Sequence, residues 1–171
     1  GQVSRVIVVD NGTREGSNSH LEKALGVGEN IDCIRNFENR GVATALNQGI
    51  RRGLSEEGGR CWIVTFDQDS LPSPNMVDEM LKIWKSHPQS EKVMVAGPRP
   101  VFVGSACKAS PATDPVLREV DFVITSGSLF SPRAFEVAGY FNEGLFVDYV
   151  DVEFCLRLGS RGYQIVEVPS A

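Results

Sequence analysis

The run Cys61-Trp62-Ile63-Val64-Thr65-Phe66, followed at once by Asp67-Gln68-Asp69-Ser70, does most to limit what this chain can become. Six largely apolar and β-branched residues predict a buried strand. Two carboxylates one residue apart, then Leu71-Pro72, predict that it empties into a loop. The acids then sit at a strand's carboxyl end, which in open α/β sheets is where ligands bind. Hard oxygen ligands so spaced suit Mg2+ or Mn2+, ions that keep several waters and bridge one or two carboxylates to a substrate phosphate. The same residues also suit a polar turn in which Asp and Ser bond nearby backbone amides, so the neighbouring segments must decide.

Those segments alternate in character. Arg5-Val6-Ile7-Val8-Val9 is apolar without alternation, as a strand covered on both faces should be, and it too ends in an acid, Asp10. Ile31 to Asn36 reads as the next strand. Val42, Ala45, Leu46, Gly49, Ile50 and Leu54 then fall at helical spacing, predicting an amphipathic helix that ends near Gly53. Met76, Met80, Leu81, Ile83 and Trp84 form a second such helix, the methionines as core residues, and Val93 to Pro98 a further strand. The order βαβαβαβ predicts an α/β fold built on a mostly parallel sheet with helices on both faces. Residues 102–115 shift to Gly, Ser, Ala, Pro and Lys, which reads as a mobile loop and a candidate lid. Beyond it, Val120 to Thr125 is expected as a strand ending in Ser126-Gly127-Ser128. Ser131-Pro132 is an N-cap and N1 pair for a helix closed by Gly139, and Tyr163 to Val168 is a last strand.

Several polar residues stand at positions where chemistry is possible. Asp10 is a second strand-end carboxylate, or simply the opening of the Asp-Asn-Gly turn. Asn39 and Gly41 precede a helix start, where they can approach a phosphate or merely cap the helix. In a helical reading of 147–157, Val150, Phe154 and Leu158 share the core stripe while Asp148 and Asp151 lie three apart on another face. There they could do chemistry or complement the helix dipole.

Bulk properties narrow the partners. At 171 residues the chain reads as one domain spanning 1–171, and a net charge of −5 without any Lys/Arg cluster argues against nucleic acid. Cys33, Cys61, Cys107 and Cys155 are far apart, with no CxxC and no neighbouring His, so neither zinc nor a redox motif is indicated. Cys61 and Cys155 lie in apolar patterns as core thiols, which fits a reducing, cytoplasmic setting. The apolar runs are too short to span a bilayer, leaving peripheral association with a membrane open.

Five blocks in order carry a resemblance: Val6 to Gly12; Asn39 to Ile50; Phe66-Asp67-Gln68-Asp69-Ser70; Thr125-Ser126-Gly127-Ser128-Leu129; and Gly139 to Glu143 through Asp151 to Arg157. Together they resemble the nucleotide-sugar-binding domain of family 2 glycosyltransferases with the GT-A fold. The Asp-Gln-Asp-Ser form, with Ser-Gly-Ser and Phe-Val-Asp-Tyr-Val-Asp, is most similar to the rhamnosyltransferases of bacterial surface-polysaccharide synthesis. Family members begin with one more strand and helix and continue beyond Val168, so the chain reads as a domain lacking both ends. Where the family often has Glu-Asp before its last helix this chain has Val150-Asp151, which makes Asp151 the retained member.

The resemblance implies inverting transfer of a sugar, with rhamnose favoured, from a nucleotide-diphospho-sugar such as dTDP-rhamnose to a hydroxyl of a glycan or lipid-linked acceptor. It implies Mg2+ or Mn2+ on Asp69 with Asp67, and Asp151 as general base with Asp148 second. Asp10, Asn11, Asn39, Gly41 and Asp67 would serve the nucleotide, and Ser126 and Gly127 would border sugar and acceptor. Arg157 would orient an acid or the diphosphate, unless it is a structural ion-pair partner. The setting implied is the cytoplasm, at the inner face of the membrane. A haloacid-dehalogenase-like phosphatase also uses Asp-x-Asp at a strand end, but Leu71 stands where its motif wants Thr or Val, and the motif comes mid-chain. A non-catalytic nucleotide-sugar-binding module is the alternative of a different class. A Walker A loop and a GxGxxG fingerprint are both missing from the sequence.

Overall fold

A computed structural model describes residues 2–14, 19–26, 30–98 and 117–168. The chain divides into two compact units, residues 1–61 with 140–150, and residues 62–139 with 151–171. The segment 102–115, expected as a lid, lies outside the described residues, as does Cys107.

In the first unit β1 (Val6–Asn11) is followed by α1 (Ser19–Leu25), β2 (Ile31–Asn36) and α2 (Val42–Glu56). β1 and β2 pair in parallel from Val6 opposite Ile31 to Asn11 opposite Asn36, so two asparagines finish adjacent strands side by side. α2 packs on β1 with Gly49 facing it: a Cβ there would sit 3.4 Å from Val9 Cγ2, an ordinary van der Waals contact. The helix buries Ala43, Asn47 and Ile50. Asn47 is fully enclosed yet satisfied, donating from Nδ2 to the Phe141 carbonyl and the Glu143 carboxylate and accepting from the Phe141 N–H. Those bonds tie the 140–150 segment to α2.

The second unit contains β3 (Ile63–Val64), α3 (Met76–Ser86), β4 (Val93–Pro98), β5 (Arg118–Val120), β6 (Leu129–Phe130), α4 (Pro132–Ala138), α5 (Val150–Gly159) and β7 (Gln164–Val168); α5 enters it at Asp151. Its five strands run in the order β3-β6-β4-β7-β5. β6 is antiparallel to β3 and β4, β4 is parallel to β7, and β5 is antiparallel to β7. The mostly parallel sheet is thus corrected. β3, β4 and β7 share one direction, while β5 and β6 come in the other way. Alternating helices constrain only the strands they link, and residues 121–128, between the two reversed strands, contain no helix.

Met76, Met80 and Trp84 on α3 pack with Val93, Ala96, Leu129, Val166 and Val168 into the core of this unit. Phe130, Phe135 and Phe154 form a second cluster with ring centroids 5.6–5.9 Å apart. The helix at 132–138 starts as expected, with the Ser131 hydroxyl accepting from the Arg133 N–H and Pro132 in the first turn. The strand expected over 120–125 is displaced: residues 121–128 are irregular between β5 and β6. Among the described residues no helix is long and apolar enough to cross a membrane.

Candidate active site

The candidate residues fall into two groups, one in each unit. In the second unit the acidic loop leaves β3 through Thr65, which donates from its N–H to the Ser128 carbonyl and accepts from the Gly127 N–H. The regular ladder therefore ends at Val64, but main-chain bonding to the neighbouring segment continues up to the acids. Ser126 then holds the loop at two points. Its hydroxyl oxygen accepts from the Asp67 N–H at 3.1 Å, and it shares a hydrogen bond of 2.6 Å with the Ser70 hydroxyl. Ser126 is only 8% exposed, so these bonds occupy a hydroxyl expected to border the sugar. Gly127 beside it has φ +78, and a Cβ would lie 2.8 Å from the Pro98 ring, so no larger residue passes there.

The Asp67 carboxyl is raised above the ordinary carboxylate range, first by partial burial and then by the negative charges of Asp69 and Asp151. The three acids thus act on one electrostatic neighbourhood. Asp151 stands in the first turn of α5, its Oδ1 accepting from the Val152 N–H at 2.8 Å. This donor set fits a hard divalent cation shared with a diphosphate. Among the described residues no group of three or more His, Cys, Asp or Glu side chains converges to hold an ion, so remaining ligands would come from phosphate and water.

Two expectations change on this side. Arg157 grips Glu153 through a bidentate fork, Nε to Oε1 and Nη2 to Oε2 at 2.8 Å each, and Nη1 donates to the Ala138 carbonyl. Its guanidinium also lies 5.3 Å from the Phe154 ring centre. The geometry gives Arg157 an ion-pair role, bracing α5 against the end of α4. Asp148, in turn, does not share a helical face with Asp151. It sits in a turn before α5, and Tyr149 between them has φ +64, a left-handed conformation that breaks the helical spacing.

In the first unit Asp10 closes β1, 7% exposed, and its Oδ1 accepts from the Thr13 N–H at 3.0 Å. Next to it the Asn11 side chain is a hub. Its Oδ1 accepts from the Arg40 N–H and from Asn36 Nδ2, and its Nδ2 donates to Asn39 Oδ1 and the Gly41 carbonyl, all at 3.0–3.1 Å. Asn36 exchanges a reciprocal pair of bonds with Gln48 on α2. Asn36 and Gln48 were not among the residues singled out from sequence, because an Asn ending a strand and a Gln inside a helix carry no local signal. Gly41 opens α2 at φ +84, and a Cβ would meet the Phe146 carbonyl oxygen at 2.6 Å. The Val42 N–H donates to that same carbonyl, so glycine serves close packing of the loop here.

Comparison with known proteins gives the family and the fold. Residues 1–106 match Glycosyl transferase family 2. The chain is 32% identical over 180 residues to dTDP-rhamnosyl transferase RfbF of Shigella flexneri, covering 96% of this chain and 57% of that protein. It is 27% identical over 173 residues to Low-salt glycan biosynthesis hexosyltransferase Agl10 of Haloferax volcanii, covering 91% and 53%. The chain therefore spans somewhat over half the length of these curated relatives. Among solved structures it is similar to GalNAc-T7, crystallised with UDP, GalNAc and Mn2+, at TM-score 0.71 and 11% identity over 97% of this chain and 36% of that one. S. aureus TarS 1-349 gives TM-score 0.66 and 14% identity over 100% and 50%. At such identities the structures speak for the fold alone, which is the GT-A fold. The phosphatase alternative is set aside by the family match, and the chain belongs to glycosyl transferase family 2.

Proposed function

We propose that the chain is the catalytic part of an inverting glycosyltransferase that moves rhamnose from dTDP-rhamnose to a hydroxyl of a glycan or lipid-linked acceptor. The observation that carries this reading is the acidic neighbourhood of Asp67, Asp69 and Asp151, at the carboxyl end of β3, in a family 2 chain. The donor preference rests on the likeness to the dTDP-rhamnosyl transferase of Shigella flexneri.

Two charges have to be managed in such a transfer. Negative charge grows on the departing diphosphate, and Mg2+ or Mn2+ held by Asp69 and Asp67 would supply electrostatic stabilisation there. The acceptor hydroxyl must lose a proton as it attacks the anomeric carbon. Asp151 takes it as general base; Asp148 is the second candidate, outside the helix that carries Asp151. Ser126, Ser70 and Gly127 keep the Asp67–Asp69 loop in shape so that the carboxylates need no reorganisation. In the first unit Asp10 and Asn39 bond the nucleoside part of the donor, and Gly41 leaves room for it. The reaction takes place in the cytoplasm, with the protein peripheral to the inner face of the membrane where a lipid-linked acceptor would be met.

The test is titration calorimetry of the protein with dTDP, UDP and their sugars, with and without Mn2+, on the unaltered chain and on Asp69→Ala. Metal-dependent binding of dTDP-rhamnose that disappears in Asp69→Ala supports the transferase. Metal-independent binding unaffected by the substitution identifies a non-catalytic binding module instead.

A further inference from the structure

Both tryptophans of the chain meet at one cavity of the second unit, at the opposite end of β3 from the acids. Three neighbouring strands bring part of its wall together. Phe130 on β6 pairs with Ile63 on β3 and with Val95 on β4, so Trp62, Ser131 and Met94 follow in one row, where the Ser131 N–H donates to the Met94 carbonyl. The end of α3 adds Trp84 and Lys85, the turn before β4 adds Glu91, and the first turn of α4 adds Arg133. Trp62 stands before β3 and Asp67 after it, which at about 3.3 Å per residue puts about 16 Å between this cavity and the acidic loop.

The wall joins an aromatic surface to hydrogen-bond donors left over by the fold. The indoles of Trp62 and Trp84 meet edge to face, with ring centroids 4.5 Å apart and planes at 87°. Trp84 is buried, and its Nε1 donates to the Ser90 carbonyl at 3.2 Å. Trp62 is 38% exposed, and its Nε1–H has no acceptor among the described residues. Ser131 is 8% exposed; its hydroxyl oxygen accepts from the Arg133 N–H at 3.3 Å, while its proton has no acceptor among the described residues. Lys85 has no carboxylate within ion-pair reach among those residues, and the Arg133 guanidinium donates only to the Glu91 carbonyl, from Nη1 at 3.4 Å. Four donor groups thus stand against one carboxylate, that of Glu91.

We propose that this cavity is a second saccharide site, which binds a pyranose carrying a carboxylate, a uronate unit of the glycan on which the enzyme acts. Such a ring has C–H faces to lie on an indole, oxygens around its edge to take the free donors, and a negative charge to match the two cations. Glu91 accepts from its hydroxyls. The volume decides against larger occupants: about 280 Å³ lies just below the roughly 300–1,000 Å³ of sites for drug-sized ligands, so a single ring fits where a lipid or a peptide does not. The inference rests on the glycan acceptor proposed above and concerns a site apart from the donor's. A glycan held here by one unit keeps its other units at high local concentration around the same unit of the protein.

Because the chain has no tryptophan elsewhere, indole emission excited where tyrosine does not absorb reports on this cavity alone. Titration with D-glucuronate, with D-glucose as the neutral control, is expected to give a saturable change in emission and an affinity about tenfold tighter for the uronate. Lys85→Gln and Arg133→Gln are each expected to weaken it about three- to tenfold, and Trp62→Ala to abolish the heat of binding in calorimetry, with dTDP affinity unchanged in all three. Thermal unfolding verifies that each variant is folded, and the two cation variants, on exposed side chains, decide the matter if Trp62→Ala does not fold. An emission change with phosphatidylglycerol vesicles but not with glucuronate identifies an anionic membrane surface instead. That outcome, no change with glucuronate, an equal response to glucose, or a response untouched by the cation variants overturns the inference alone. Binding of glucuronate by a chain that binds no nucleoside diphosphate overturns the donor reading and supports the saccharide site.

Discussion

The main-chain N–H of Asp67 donates to the Ser126 hydroxyl at 3.1 Å, so the first acid of the loop is held through its backbone, which leaves its carboxylate free for other partners. Replacing Ser126 by Ala removes that acceptor and the bond to Ser70 together. We expect a stability loss of about 1–2 kcal/mol in urea titration and about a tenfold drop in transfer rate, because the loop must then be ordered at each turnover. Full activity in Ser126→Ala would show that the loop keeps its shape without the clamp.

Asp151→Asn separates proton transfer from binding. General-base assistance is worth roughly 10²–10⁴ in rate, so kcat should fall by that factor while Mn2+-dependent affinity for the donor stays within about twofold. Steady-state kinetics paired with calorimetry reads both. A fall confined to donor affinity would instead give Asp151 a binding role.

Asn47→Leu removes the bonds that the buried Asn47 makes to the N–H and the carbonyl of Phe141. Each hydrogen bond lost is worth about 0.5–1.5 kcal/mol net, so the variant should lose about 2–3 kcal/mol of stability although leucine nearly matches the volume. Glu143 also loses its Asn47 partner. A loss below about 1 kcal/mol in chemical denaturation would mean that water or a shifted backbone takes over the bonds.

Cys155 titrates late. Burial, opposed by a main-chain bond from Val123 and reinforced by the charge of Asp151, lifts its thiol from 9.0 to about 11. The folded state then holds this proton more tightly than the unfolded chain does, so the associated stability is complete below pH 9 and is lost as pH rises through about 11. The loss is on the order of 2 kcal/mol and should be absent in Cys155→Ala, as unfolding curves across that window will show. At neutral pH the same thiol should react with an aromatic disulfide reagent only on unfolding.

Local pattern was enough for the helices at 42–56, 76–86 and 132–138, since helical spacing, a Ser-Pro start and a Gly stop all act within a few residues. It was also enough to place two carboxylates where β3 ends, because an apolar run followed by polar turn residues has few other ways to fold. The directions of β5 and β6 were not legible, since pairing partners are chosen by burial between segments distant in sequence. For the same reason Arg157 read as a possible ligand until Glu153 and Ala138 were seen to claim it, and Asp148 read as helical until the φ of Tyr149 was known. The amino-acid order of this chain determined which groups carry charge and near which strand ends they fall. Only the tertiary structure decided which of them are already spent on one another, because a hydrogen bond saturates its donor and acceptor and its partners come from anywhere along the chain.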